Sequence, residues 1–163
     1  MIGIALDKGY LSRLGQKVLG FFPDYSKEAL LAFYKATDTS VWAADPNGVN
    51  TGGWGLTLSA LDLAKLGELV LNGGVYDGTR VVSEEWVRRS TSEQSRWEER
   101  NLPYGYLWWV LEQERACAAI GDGGNILYVS PEKKLVVAIT SRFQPRVKDR
   151  IEFIRKYVEP VFA

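Results

Sequence analysis

From Ala60 to Leu71 the polar residues Asp62, Lys65 and Glu68 recur at every third position in an otherwise apolar run. That recurrence follows the helical turn, so the stretch predicts a helix with one narrow polar stripe, buried on most sides. Ser59 and Asp62 stand at capping-box spacing in front of it, and Gly73 and Gly74 end it. The next segment, VYDGTRVV, predicts a small hairpin about Asp77-Gly78, and Ser83 is placed to cap a second helix through EEWVRRST. SEQSRWEERN then reads as a charged loop. Beyond it the pattern changes: YGYLWWVLEQ, ACAAI, NILYVS and KLVVAITSRF are aromatic or β-branched runs separated by short turns, which predicts an antiparallel sheet. Tyr106, Trp108 and Trp109 are expected to alternate across the first of these strands. Val147, Ile151, Ile154, Val158 and Phe162 recur at helical intervals, so an amphipathic helix should close the chain over the sheet.

Ahead of these elements, Ile2 to Lys8 has the pattern of the tail of an apolar helix stopped by Gly9. Ser26 is a suitable N-cap for a short helix through Leu30, Leu31, Phe33 and Tyr34. Asp38 to Thr57, with turn residues at DPNG and NTGG, reads as an irregular loop carrying Trp42 and Trp54. The whole is an α+β order, an antiparallel β-sheet flanked by helices, in a single domain across residues 1–163.

Composition narrows the chemistry. With 163 residues, 46% hydrophobic and 25% charged, the chain has the make-up of an ordinary globular domain with one core. Twenty basic residues balance twenty acidic ones, and runs such as VRR are too sparse for a nucleic-acid surface, so no nucleic-acid partner is expected. No apolar run approaches a membrane-spanning length, and the opening MIGIALDKG has no basic leader. A soluble chain without membrane segment or signal peptide, cytoplasmic by default, is the expectation. The single cysteine, Cys117, has the apolar neighbours of a buried structural thiol. There is no histidine, which excludes a Ser-His-Asp triad, a Cys-His pair and an HExxH zinc site within this chain. Hydrolysis would need a lysine, a tyrosinate or a carboxylate as base, or a second chain. Neither a metal nor a cofactor is expected. Glu84-Glu85 and Glu98-Glu99 are adjacent acids that point apart on a helix, the mark of a solvated face rather than of paired carboxylate catalysis.

Between two predicted strands lies CAAIGDGGN, Cys117 to Asn125. Asp and Gly tolerate positive φ and suit a tight turn. The same glycines would let a substrate backbone approach a strand edge, as the wall of an active site requires.

Together with its neighbours this motif carries a resemblance. The block GGWGLTLSALDLAKLGELVLNGGVYDGTRVVSEEWVRRST, then YGYLWWV, then AIGDGGNILYVSPEKKLVVAITS resembles the C-terminal half of the serine β-lactamase-related family in order and spacing, from about Trp42 to Ser141. That family includes class C β-lactamases, penicillin-binding DD-peptidases and related esterases and amide hydrolases. The likeness falls on its 6-aminohexanoate-dimer-hydrolase-like members. Met1 to Tyr25 resembles the continuation of the family's nucleophile-bearing helix. The resemblance implies a partial β-lactamase/transpeptidase-like fold and serine acyl transfer without histidine, on a small-molecule amide, ester or β-lactam. In the family the serine of SxxK attacks a carbonyl, its lysine and the tyrosine of YxN manage the proton, and a KTG or HxG triplet lines the opposite wall. By that resemblance Asp122, Gly123 and Gly124 hold the triplet position, and the Asn125 N–H holds that of one oxyanion donor. Tyr106 and Trp108 would border the substrate pocket on one face of their strand, with core packing the competing and favoured role.

The chain departs from the family pattern in its catalytic arms. The family's SxxK would fall just upstream of the residues matched by Met1, no YxN or SxN occurs, and only residues 26–41 stand where the family carries a long helical segment. The sole SxxK match, Ser130-Pro131-Glu132-Lys133, is predicted to be a turn between strands. An acid at position 122, where the family places a cation or an imidazole, would repel a carboxylate substrate. The expectation is a truncated, internally deleted serine hydrolase that is incomplete alone. A non-catalytic binding or scaffold module using the remaining half-cleft is the alternative, and a carboxylate hydrolase with Asp122 as base lacks a visible nucleophile. The missing segments would uncover apolar surface on Ala60 to Leu71 and Ile2 to Leu6, so self-association or pairing with a complementary chain is expected.

Overall fold

The computed structural model describes residues 41–50, 55–141 and 149–162. The expected helices at Ile2 to Gly9 and Ser26 to Tyr34, most of the NTGG turn, and the end of the last expected strand beyond Ser141 lie outside the described residues. The stretch read as an irregular loop contains a short antiparallel hairpin, β1 (Val41–Trp42) with β2 (Leu56–Thr57). Asp45 organises its first turn by accepting the N–H groups of Asn47 at 2.8 Å and Val49 at 3.0 Å. Helix α1 (Ala60–Leu71) follows with the predicted bounds, its N-cap Ser59 accepting the Asp62 N–H. Strands β3 (Val75–Tyr76) and β4 (Thr79–Arg80) pair about Asp77 and Gly78, whose φ values of 49° and 72° are those of a primed turn. Ser83 caps α2 (Glu84–Ser90) as expected.

The rest of the described chain is α+β. Strands β5 (Ser95–Trp97), β6 (Leu102–Tyr104), β7 (Trp109–Leu111), β8 (Ala116–Gly121), β9 (Asn125–Ser130) and β10 (Leu135–Ile139) form a six-stranded antiparallel meander in sequence order. The register of β9 against β10 runs from Leu135 opposite Ser130 to Ile139 opposite Ile126. On the other side of β9, Gly121 faces Asn125 and Cys117 faces Val129. The expected charged loop therefore contains a strand, β5, held where Arg96 bonds Glu93 at 2.6 Å and the Asn101 side chain at 2.8 Å.

Alternation along the strands sorts the core into two layers. Ala116, Ala118, Ile126 and Tyr128 point to one face with Ile154, and Val137, Ile139, Ile151 and Val158 pack against them. Cys117, Leu127 and Val129 point to the other, under Leu63, Leu66 and Val70 of α1. The sheet is thus clamped between α1 and the C-terminal segment 150–161. That segment starts as α3 (Arg150–Phe153), capped by the Asp149 carboxylate, and widens to π hydrogen bonding over Ile154–Val158. It tightens at Glu159–Val161, where Pro160 has no N–H to donate. Of its predicted apolar stripe Ile154 is fully buried while Phe162 is exposed, because the helix ends before Phe162 can turn back to the sheet.

Two contacts set how closely the layers approach. A Cβ at Gly67 in α1 would collide with Val136 Cγ1 and come within 2.8 Å of Leu127 Cδ1, so the bare helix surface is what lets α1 sit on the sheet. On the opposite face Tyr128, with no exposed surface, donates its hydroxyl to the Glu159 carboxylate at 2.6 Å, and Lys133 Nζ approaches the other carboxylate oxygen at 2.6 Å. Burial works to raise the Glu159 pKa, but the Lys133 ammonium and the Tyr128 hydroxyl outweigh it and hold the group below the ordinary value of 4.5. The polar stripe of α1 is split between two faces: Asp62 is buried, accepting Ser59 Oγ at 2.7 Å and Lys65 Nζ at 2.8 Å, while Glu68 is exposed and Leu61 is 65% exposed. Asp62 shares the inward face of Leu66 and Leu69, whereas Leu61 shares the outward face of Lys65 and Glu68.

Two outcomes follow from these contacts. Gly67→Ala gains about 1 kcal/mol of helix propensity but meets an overpacking cost of about 1–3 kcal/mol, so thermal melts should show net destabilisation; an unchanged or raised Tm would mean α1 can retreat from Val136. Glu159→Gln should lower unfolding free energy by about 1.5–3 kcal/mol at neutral pH, the worth of hydrogen bonds to a charged group. Because the folded-state pKa lies below the unfolded one, that deficit is fully present above pH 4.5 and should close as pH falls through the depressed folded value. Denaturant titrations at stepped pH would read it, and a deficit independent of pH would contradict the ion pair's role.

Candidate functional site

The sheet has two chemically different ends, and β9 connects them. At its start, Asp122–Gly124 form one tight turn from β8 into β9, with Gly123 and Gly124 at φ of 78° and 97°. These positive angles are costly for residues with a Cβ, which accounts for the glycine pair. The plain-turn role of CAAIGDGGN is therefore real, and exposure falls along the motif at this end of the sheet: Ile120 is 48% exposed and Gly121 exposed, Gly123 is half-buried and Gly124 is buried. Asn125 is the first residue of β9, and its side-chain oxygen accepts the Ser141 N–H at 2.9 Å. The Ser141 hydroxyl donates to the Gly123 carbonyl at 2.7 Å. Ser141 was absent from the sequence-derived residues. Its signal was in the register, because extending the β9–β10 ladder by two residues sets Ser141 level with Gly124.

Trp108 and Tyr106 do not share a strand. The predicted single strand is broken by a bend, with Leu107 at a φ of 67°, so that only Trp109 onward joins β7. The bend is set by α2: the Tyr106 N–H donates to the Ser90 carbonyl at 2.9 Å, and the Tyr106 ring stacks on Trp86 at 5.5 Å with planes 6° apart. Trp108 lies level with Ala119 at the glycine-turn end and packs half-buried against the Cys117, Leu127 and Val129 cluster. The structure thus brings Trp108, the Asp122–Gly124 turn, Asn125 and Ser141 to one end of the sheet, and turns Tyr106 onto α2. Cys117 is buried, and burial pushes its thiol up to about 12, so it is a structural thiol as expected.

The opposite end holds the SxxK match. Ser130 closes β9 with no exposed surface, its Oγ lacking a hydrogen-bond partner among the described residues, and Lys133 is committed to Glu159. A nucleophile there would have neither access nor a base. Around it is an open depression lined by Glu114, Arg115, Glu132, Lys133, Arg155 and Glu159. Its charges neutralise one another, Arg115 with Glu132 at 3.1 Å and Arg155 with Glu114 at 4.0 Å. Among the described residues no cluster of His, Cys, Asp or Glu could hold a metal, and no helix is long and apolar enough to cross a membrane.

No family profile matches the chain. A curated relative, the 6-aminohexanoate-dimer hydrolase of Paenarthrobacter ureafaciens, is 30% identical over 130 aligned residues, covering 66% of this chain and 33% of that protein. A solved structure from Bacillus anthracis, described as a candidate 6-aminohexanoate-dimer hydrolase, superposes with a TM-score of 0.55 over 70% of this chain and 30% of the other, at 24% identity, and supports the fold. The chain spans about one third of the length of the curated relative it matches. With the glycine turn, the meander and the α1 clamp in place, these likenesses relate the chain, over part of its relatives' length, to the β-lactamase-like serine hydrolase family.

Proposed function

We propose that this chain forms the sheet-side wall of a serine acyl-transfer site for a small amide or ester, and that the 163-residue chain forms no acyl-enzyme by itself. The observation that carries the reading is the turn at Asp122–Gly124, which Ser141 bonds through the Gly123 carbonyl and the Asn125 side chain where β8 passes into β9. A carbonyl seated there would have Gly121 and Gly123 beside it without side-chain obstruction, and by the family likeness Asn125 stands at the position of one oxyanion donor. Such a donor is worth about 2.7–4 kcal/mol of transition-state stabilisation. Trp108 supplies the apolar floor nearest that end, and Tyr106, stacked on Trp86, acts at most through the bend it anchors.

The proton-transfer groups of the family chemistry are missing from this sequence, which has no YxN and one SxxK match. That match is buried and ion-paired at the far end of the sheet. The chain as given is therefore a half-cleft, able to hold a neutral amide and unable to turn it over. Incubation with a fluorophosphonate or a penicillin, followed by intact mass measurement, should show no adduct and only background hydrolysis. A stoichiometric mass gain on any serine, Ser130 included, would overturn the claim that the chain is catalytically incomplete.

A further inference from the structure

β10 (Leu135–Ile139) is the outer strand of the six-stranded sheet, and among the described residues no strand pairs with its far side. Its sequence, LVVAI, carries no charge and no proline, and its ladder to β9 runs without a bulge. Those are the devices that ordinarily protect a sheet edge. Both of its faces are covered, Val137 and Ile139 on the Tyr128 layer and Val136 and Ala138 under α1. Among the described residues only the edge is open: Val136 to Ile139 are half-buried, while Ile126 to Ser130 beside them are buried. The other edge is guarded, since β5 carries Arg96 paired to Glu93 at 2.6 Å, and Arg100 lies 4.6 Å from the Trp97 ring. An open row of backbone N–H and C=O groups is satisfied by another extended backbone, so the edge specifies a strand as its occupant.

We propose that this occupant is β10 of a second copy, paired antiparallel about a two-fold axis so that two sheets become one. One open edge and one guarded edge per chain let a two-fold contact close without propagating into a fibre. A register centred on Val137 sets Leu135 opposite Ile139, Val136 opposite Ala138 and Lys134 opposite Thr140, so no like charges meet. Helix α1 lies over β9 and β10. With strands about 4.8 Å apart, the two copies of α1 would come about 10 Å apart, at helix-packing distance. The contact is led by the sheet backbone, with α1 adding side-chain burial rather than providing the interface alone.

Sedimentation of the full chain over a micromolar dilution series should show a reversible dimer. Val137→Lys and Val137→Glu each place like charges face to face on the axis and should weaken association at least about tenfold. An equimolar mixture of the two variants should associate again, which a merely unfolded variant would not do. Hydrogen exchange of the unmodified chain gives a second reading that needs no variant: β10 amides should gain protection as concentration rises, while β5 amides should not. A monomer at every concentration, a dimer indifferent to both substitutions, a mixture that stays dissociated, or β10 amides equally protected at every dilution would each overturn the proposal.

Discussion

The burial of β9 on both faces is the constraint on which the other features rest. Ile126 and Tyr128 point to one layer and Leu127 and Val129 to the other, all at or below 3% exposure. A strand in that position must have a cover on each side, and each cover is fixed by one local chemistry. On one side the absent side chain of Gly67 admits α1. On the other, Ile154 fills the apolar layer and the Tyr128–Glu159–Lys133 contact ties down the segment that carries it. The strand's direction then determines the two ends of the molecule: the glycine turn where β9 starts, and a self-neutralised cluster of charges where it stops.

What could be read from the sequence was what local chemistry alone determines. Ser59, Ser83 and Asp77-Gly78 gave their elements at the expected positions because caps and primed turns depend on a few neighbouring residues. The strands β8 to β10 were legible because both faces are buried and the runs are continuously apolar. The misses have a common cause in tertiary pairing. β5 hides in a charged segment because Arg96 finds its partners in Glu93 and Asn101, and the strand needs only one neighbour at an edge. Tyr106 left the expected strand because Ser90 and Trp86, sixteen or more residues earlier, claim its N–H and its ring. Asp62, grouped by period with Lys65 and Glu68, is buried apart from them because Ser59 and Lys65 satisfy its carboxylate.

The site divides in the same way. The GDGGN motif identified the turn and the end of the sheet at which it lies, and the chemical role proposed for it rests on the family likeness. Ser141 escaped notice because its two bonds to Gly123 and Asn125 exist only once β10 lies in register beside β9. The SxxK match shows the converse: a motif with the right letters and a structure that removes each function, Ser130 by burial and Lys133 by its ion pair.

We propose the glycine turn as a ligand-facing wall and not only a hairpin connection. Backbone-amide NMR during titration with a neutral linear amide, N-hexylacetamide, tests it directly without any need for turnover. Shifts centred on Gly121, Gly123, Gly124 and Asn125, with the Trp108 indole moving alongside, are the predicted result. Shifts absent from those amides, or centred on Arg115, Lys133 and Arg155 at the opposite end of the sheet, would contradict it.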